Sequence, residues 1–423
     1  MGWHPAVHNG LFRRTFSQRR LVAKYLAEGV TGGGDMKRIP GFPVIAVICG
    51  VLTVMSVHGQ GPLNPPGPPG PTMKTLAQVE PRIPITNVPF TITEPGSYYL
   101  TTNMACGSSA IVIHSGRVTL DLMGFSLCGT GSGDGISAQG SSTNVLWNVS
   151  IRNGTIVGFD DGIDFYYVRD WCLEDLAVAS NADDGIHIAG GFVGAGGGRL
   201  SRCSVLWNGS RGAYISGDGN LVEECTIVSN GNMGLYLCGA SGESCDENVV
   251  RHCTIAHNGA GIYLHGNQGQ CNGNLITECA IGHNDGRGIY LGAGADGGEC
   301  DGNVIRGCTL KGNESEGVDI YYADGNVIRG CVLDGNGFVG IRIYYSDANR
   351  IEGNAIWGRS ITGYGIYSRW SQTGNFIFRN SCSGCTNACY LFDTDDTYGP
   401  IVTNSGALAV TGAAAHAWAN FAR

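Results

Sequence analysis

Two short acidic elements, Asp160-Asp161-Gly162-Ile163-Asp164 and Asp183-Asp184-Gly185-Ile186-His187, are the segments of this chain best equipped for proton transfer. They stand 23 residues apart and match position for position. If the chain returns to the same place after that interval, Asp161, Asp164, Asp184 and His187 lie within one or two strand spacings, roughly 5 to 10 Å. Crowded carboxylates raise one another's pKa, so one can hold a proton near neutrality while its neighbour is ionised, and an imidazole beside them completes an acid-base set. Aspartates preceding glycine are also ordinary turn residues, and a solvated turn is the other reading of the same letters.

Both elements belong to a longer series. Glycine followed closely by an apolar residue recurs at Gly135, Gly162, Gly185, Gly212, Gly234, Gly261, Gly288, Gly317, Gly340 and Gly365, in steps of 22 to 29 residues. In the pattern Gly-Ile-x-Leu the aliphatic residues alternate with x, so on a strand they point inward and x points outward. Successive x residues read Ser137, Asp164, His187, Tyr214, Tyr236, Tyr263, Tyr290, Asp319, Arg342 and Tyr367. Tyr214, Tyr236, Tyr263 and Tyr290 therefore form one outward column, with His265 beside it. Aromatic faces of this kind stack on the C–H faces of sugar rings while their hydroxyls hydrogen-bond. An aromatic ladder that merely covers a strand face is the alternative. Asp319 next to Arg342 reads as an exposed ion pair between coils, or as a group that neutralises a uronate.

These residues must be held by a repeating scaffold, and the composition agrees. Of 423 residues 69 are glycine, 43% are apolar and 14% are charged. The glycines lack the every-third-residue period of collagen, and so apolar a chain is not a disordered one. The net charge of −9 gives no basic field for a phosphate backbone, so nucleic acid is not an expected partner. A unit of 22 to 29 residues rich in β-branched residues and without a 3.6-residue period predicts one solenoid coil per repeat. Inside the unit, trios spaced by five recur: Asn220, Cys225, Asn230; Asn248, Cys253, Asn258; Asn274, Cys279, Asn284; Asn303, Cys308, Asn313; Asn326, Cys331, Asn336. Stacking turns these into corner columns in which asparagine tolerates left-handed backbone and its amide bonds the next coil. Cys203 extends the cysteine column to six buried thiols, since a linear column offers no tetrahedral zinc site.

Through the motif Asn-x-Ile-x-x-Asn-x-Ile-x-x-Asn-x-x-x-Gly-Ile the chain resembles the right-handed parallel β-helix family, the pectin-lyase-like superfold, with cysteine in place of the middle asparagine in six coils. The resemblance implies an all-β, single-domain, right-handed parallel β-helix solenoid. It is specific for fold; members include lyases, glycosidases, esterases, epimerases and adhesins. Asp-Asp-Gly-Ile looks like a fragment of the polygalacturonase-type pattern, but its Gly-His-Gly and Arg-Ile-Lys elements are absent. A lyase-like or alginate-epimerase-like site using His187 and Tyr214 is equally compatible, although the Asp-Pro-His-Glu motif is missing. The expected function is binding, with processing left open, of an extracellular polysaccharide along the tyrosine column. The alternative is a non-catalytic glycan-binding or structural cell-surface solenoid.

The remaining expectations concern boundaries and thiols. Met36, Lys37 and Arg38 ahead of the apolar run from Phe42 to Val57 read as a secretory signal over 36–59, behind a non-native extension at 1–35. Retention as a membrane anchor is the alternative. A Pro/Gly-rich linker follows at 60–71, then a cap and first coils at 72–134, the repeats at 135–393 and a tail at 394–423. Eleven or twelve coils are expected over 97–393. Cys245, Cys271 and Cys300 fall in glycine-rich insertions and are expected at the surface, with Cys238–Cys245, Cys271–Cys300 and Cys106–Cys128 as disulfides in an oxidising space. Cys382, Cys385 and Cys389 lack a fourth ligand nearby in sequence, so a terminal bridge is preferred to a metal. No cofactor and no metal is expected. The protein is expected to be a monomer, secreted or at the cell surface.

Overall fold

Strands of two to nine residues, most of them three or four long, alternate with corners throughout, so none can bury itself and each must stack on the next turn of chain. The structure, a computed structural model, describes residues 79–190, 196–239, 242–293, 297–359, 363–371, 373–403 and 416–422. The expectations for 1–35, 36–59 and 60–71 lie outside these residues. A typical coil contains the strands Leu221–Glu223, Thr226–Val228 and Met233–Gly239, and the next coil repeats them at Val249–Arg251, Thr254–Ala256 and Ala260–Gly266. The pairing is parallel and in register, with Val222 opposite Val250, Ile227 opposite Ile255 and Tyr236 opposite Tyr263.

One sheet has thirteen strands, one from each coil, running from Phe90–Ile92 to Ala388–Leu391. The other two strands of each coil join a second, 26-stranded sheet, which the strands Thr397–Tyr398, Ile401–Val402 and Asn420–Ala422 extend past the last repeat. The described residues therefore form an all-β parallel solenoid, as the repeat predicts. Its axis is filled by aliphatic columns such as Ile186, Ala213, Leu235, Ile262 and Ile289, all inaccessible or nearly so. The repeat glycines are needed for close approach: a Cβ on Gly261 would sit 2.2 Å from the Gly288 carbonyl oxygen and 2.8 Å from Ile281.

Corner asparagines form ladders in which each backbone N–H donates to the side-chain oxygen one coil on, with the side-chain amide repeating the link at most steps. In one, Nδ2 of Asn220 donates to Oδ1 of Asn248 at 3.0 Å, Asn248 to Asn274 at 2.9 Å and Asn274 to Asn303 at 3.0 Å. The same corner continues to Asn326 and Asn349 through backbone N–H donors alone, leaving the buried Asn326 Nδ2 without a partner among the described residues, then through side-chain amides to Asn375 and the Asp396 carboxylate. A second ladder links Asn181, Asn208, Asn230, Asn258, Asn284, Asn313 and Asn336. The left-handed backbone sits one residue earlier than expected, on Glu247, His252 and His257 rather than on the ladder residues. That placement leaves each asparagine free to point inward while the preceding side chain faces out.

The six expected thiols, Cys203, Cys225, Cys253, Cys279, Cys308 and Cys331, are buried. The other cysteine expectations need correction. Cys245, Cys271 and Cys300 are wholly buried and stack as a second inner column, each Sγ accepting from the amide of Asn248, Asn274 or Asn303 at 3.4 to 3.5 Å. The insertions are tied instead by β-bridges joining Ser244 to Gln270 and Gln270 to Glu299, and this alternation turns the following cysteine inward. None of the sixteen described cysteines is in a disulfide, so the pairs Cys238–Cys245, Cys271–Cys300 and Cys106–Cys128 and a terminal bridge are not formed.

Candidate functional site

The thirteen-stranded sheet carries the outward column in the order the repeat predicts. Ser137 pairs with Asp164, Asp164 with His187, His187 with Tyr214, and Tyr214 with Tyr236. Tyr236, Tyr263, Tyr290, Asp319, Arg342 and Tyr367 follow in the same register. The column has three parts.

At its acidic end, Asp161, Asp164 and His187 bring their ligand atoms within 4.8 Å of one another. His187 Nδ1 is 2.9 Å from Asp164 Oδ1, and Gln139 donates to the other Asp164 oxygen at 2.7 Å. With Nδ1 engaged, Nε2 is the imidazole atom left for proton exchange. Burial pulls the His187 pKa down, but the hydrogen bond and charge of Asp164 outweigh it and leave the imidazole easier to protonate than usual. Asp161 goes the other way from an ordinary carboxyl: burial pushes it up to about 7, with the charge of Asp184 adding to the rise. A half-buried carboxyl poised at neutrality beside an oriented imidazole is a competent acid-base pair. Three such donors also suit a hard or borderline divalent ion.

Asp184 does not join this set. It is buried, accepts the backbone N–H of Arg211 at 2.8 Å, and forms an ion pair with the Arg211 guanidinium at 2.9 Å. Arg211, absent from the sequence reading, also lies over the ring of Tyr214 at 4.6 Å and within 5.8 Å of Tyr236. The signal was present in the sequence: the residue before each repeat glycine makes its own column, Asp134, Asp161, Asp184, Arg211, Met233, Ala260, Arg287 and Glu316. Each repeat glycine N–H there bonds the carbonyl of this column's residue one coil on, as Gly162 does to Asp184 and Gly185 to Arg211.

In the middle, the tyrosines are half-buried and touch along the column. Ring centroids are 5.4 Å apart for Tyr214 and Tyr236, 6.4 Å for Tyr236 and Tyr263, and 4.7 Å for Tyr263 and Tyr290. His187 is 5.0 Å from the Tyr214 ring, so the aromatic series runs straight into the acid-base end. Tyr236 Oη lies 3.0 Å from His265 Nδ1, and burial depresses the His265 pKa, keeping that ring neutral. Burial raises the pKa of Tyr214, Tyr236 and Tyr290, so their hydroxyls remain proton donors at neutral pH.

At the far end Asp319 is fully buried, which corrects the expectation of an exposed pair. Arg342 grips it with two hydrogen bonds of 2.7 Å, and Arg287 Nε makes a 2.6 Å ion pair without hydrogen-bond alignment. Glu316, also buried, pairs with Arg342 at 2.8 Å. Arg287 additionally donates to Tyr263 Oη at 2.9 Å. Two acids and two arginines thus close on themselves, beside a cavity of about 670 Å³ lined in part by Arg342, Tyr344, Tyr364 and Tyr367. Next to it Tyr322, Tyr345 and Trp370 stack in parallel at 4.9 Å per step and stay exposed.

A second convergence of ligating atoms lies outside the column, where the sulfurs of Cys382, Cys385 and Cys389 also fall within 4.8 Å of one another.

Comparison with known proteins places this architecture. A family model described as a right handed beta helix region matches residues 134–297, and one described as periplasmic copper-binding protein (NosD) matches residues 245–399. No curated protein matches the chain in sequence. Among solved structures, a tailspike protein mutant of E. coli bacteriophage HK620 in complex with a pentasaccharide aligns over 78% of this chain and 66% of its own, at 14% identity and a TM-score of 0.55. A double mutant of the same tailspike aligns over 74% and 65%, at 13% identity and 0.53. The A-module of a mannuronan C-5 epimerase from Azotobacter vinelandii aligns over 72% and 91%, at 14% identity and 0.46. Identities this low speak to fold and leave the chemistry to the residues. The matched repeat model and the in-register stacking of coils lead to one conclusion: the chain is a right-handed parallel β-helix repeat protein.

Proposed function

We propose that this protein binds an extended polysaccharide along the outward column of its thirteen-stranded sheet and acts on it at the Asp161, Asp164 and His187 end. The observation that carries this reading is the unbroken register from Asp164 and His187 through Tyr214, Tyr236, Tyr263 and Tyr290. Parallel coils step by about 4.8 Å, close to the ~5 Å length of a sugar residue, so a glycan lying along the axis meets one aromatic ring per unit. The polysaccharide or oligosaccharide chemistry named for the structural neighbours is consistent with this, and the assignment rests on the residues.

Proton transfer at a sugar carbon or at a glycosidic oxygen is the chemistry the acidic end offers. His187, oriented through Nδ1 by Asp164, exchanges a proton at Nε2; Asp161 takes the complementary role, and the phenol of Tyr214 supplies a nearby donor. This division suits abstraction and return of a uronate C5 proton, the step shared by lyases and epimerases, as well as general acid-base hydrolysis. The copper named in the second family description would need softer donors than this column provides.

The test is a panel of acidic and neutral polysaccharides assayed for new reducing ends, for absorbance of unsaturated uronates, and by NMR for inversion at C5. Turnover of any one, abolished in Asp164→Asn, supports the catalytic reading. Binding that depends on the tyrosines without turnover selects a binding module, and failure of every glycan to bind leaves a structural solenoid.

A further inference from the structure

We propose that a groove on the 26-stranded sheet, lined by Arg306 and Arg329 and by the corner glycines Gly307, Gly330 and Gly353, binds one tetrahedral oxyanion of the phosphate or sulfate class. The outward residue that ends the first strand of each coil belongs to a column in register, in which Glu223, Arg251, Thr277, Arg306, Arg329 and Glu352 follow one another. Earlier in this column an acid answers each arginine. Arg152 pairs with Asp121 at 3.2 Å, and Glu223 pairs with Arg251 at 2.6 Å. Arg306 and Arg329 break the pattern. They are exposed, end the strands Val304–Arg306 and Val327–Arg329, and stand directly opposite each other, about 4.8 Å apart along the backbone. Among the described residues neither forms an ion pair. The two acids of the groove are held by other cations or donors: Glu352 pairs with Arg350 at 2.8 Å and Arg379 at 3.3 Å, and Glu278 lies 2.8 Å from His252 Nε2. Like charges opposed on neighbouring strands destabilise a sheet, and a bound anion removes that cost.

The corner beside these arginines opens at the same coils. In the preceding coils it carries Arg202, Glu224, His252 and Glu278, all in left-handed backbone with φ between 51 and 55°. The next three coils place Gly307, Gly330 and Gly353 there, and Arg379 closes the row. Since charged side chains hold the same backbone one coil away, conformation alone does not require three glycines. What they supply is room: a Cβ on Gly330 or Gly353 would meet nothing within 4 Å. The result is a cavity of about 640 Å³ bounded by Glu278 and Arg379.

The free donors then select the ligand. Arg306 Nε donates to the Thr277 hydroxyl at 3.2 Å, which steadies the side chain and leaves its terminal nitrogens to a ligand. A carboxylate has two oxygens and is satisfied by one guanidinium fork, whereas a tetrahedral oxyanion presents three or more and can be shared by two forks. Two guanidinium charges also balance a dianion. A nucleic acid backbone would require a long basic field, which a groove containing Glu278 and Glu352 does not offer. Phosphate and sulfate share this chemistry, whether as the free ion or as an ester on a sugar. The tyrosine column lies on the other sheet, so this site is independent of the glycan reading.

The experiment titrates the full chain calorimetrically, at neutral pH and low salt, with sodium phosphate, sodium sulfate, glucose 6-phosphate and glucose 6-sulfate, and with sodium acetate as the planar control. One bound equivalent of a tetrahedral anion is expected, with acetate weaker by roughly tenfold or more. The double variant Arg306→Gln/Arg329→Gln changes two exposed side chains, so its circular dichroism should match the parent while affinity falls by roughly 100-fold. Gly330→Glu, which places a carboxylate in the groove at a backbone conformation Glu278 already adopts, should abolish binding in a folded protein. Phosphate should raise the melting temperature of the parent and of neither variant. Tighter binding of the sugar esters supports the site with an esterified sugar as its source, and equal affinity for the free ions supports it with the ion itself. No binding of any tetrahedral anion by the parent, unchanged affinity in the double variant, or acetate held as tightly as phosphate would overturn the proposal.

Discussion

The Asp164 carboxylate stands 2.9 Å from His187 Nδ1 across a single step of the solenoid, so one hydrogen bond both orients the imidazole and joins two coils. Asp164→Asn keeps the shape but removes the charge that stabilises an imidazolium. If the acidic end turns over substrate, kcat should fall by about 10² to 10⁴ in Asp164→Asn and in His187→Ala, with glycan affinity nearly intact. Matched kinetics and binding isotherms check this, and an equal loss of affinity would place both residues in binding alone.

Asp161 gives a prediction in pH. Its pKa of about 7 in the folded chain exceeds the ordinary carboxyl value near 3.9, so between those values the folded state holds a proton the unfolded state has lost. Its contribution to stability therefore declines as pH rises from about 4 to 7. His187, also raised, loses its stabilising contribution as pH rises through its folded value, in the same direction. Asp161→Asn should make the protein more stable than the parent at pH 8, by on the order of 1 kcal/mol after allowing for partial solvent exposure, and leave it unchanged at pH 4. Urea midpoints across that range decide it; parallel curves for the two proteins would refute the assignment.

Replacing Tyr236 and Tyr263 together by alanine should weaken glycan binding by roughly 1 to 3 kcal/mol, the scale of two aromatic contacts. Stability should fall modestly, since both rings lie outside the aliphatic axis. Calorimetric titration with the best-binding oligosaccharide, beside a thermal melt, separates the two effects.

Arg342→Met would strip Asp319 and Glu316 of a shared partner. Because Asp319 is fully buried, the change should cost roughly 3 kcal/mol even with Arg287 still in place. The compensating double variant Asp319→Asn/Arg342→Met should recover part of that loss in the same denaturation assay.

Alkylation under native conditions should reach Cys385 and Cys389 and spare both inner columns, including Cys245, Cys271 and Cys300. Mass mapping before and after unfolding reads this directly. Native labelling of Cys271 would contradict its place in the core.

The sequence revealed most where a residue type repeats at every coil. The asparagine and cysteine corners and the outward x residues recur at fixed offsets from the repeat glycine, and translation along the axis converts offset into contact. It revealed less where the pairing partner sits on a different column. Arg211 and Arg287 precede repeat glycines rather than following them, so their contacts with Tyr214 and Asp319 cross between columns, while the pair of Arg211 with Asp184 lies within a column that mixes acids and arginines instead of repeating one residue type. The insertions misled for a related reason: their glycine content signals protruding loops, whereas Cys245, Cys271 and Cys300 lie at the bases, where β-bridges restore strand alternation.

The asparagine ladder that begins at Asn220 has a direction. At every step the backbone N–H of one ladder residue donates to the side-chain oxygen one coil nearer the carboxyl end, until Asp396 receives the last of these bonds and, as a carboxylate, has no side-chain amide to pass on. The ladder is thus a sentence with a full stop. A duplicated coil inserted between Asn248 and Asn274 would be read through with the same backbone and side-chain donors and acceptors, whereas a coil appended after Asp396 would meet a terminus with no side-chain amide to offer. Length in this scaffold is therefore editable in the middle and sealed at that end, and the seal is one side-chain oxygen in place of nitrogen.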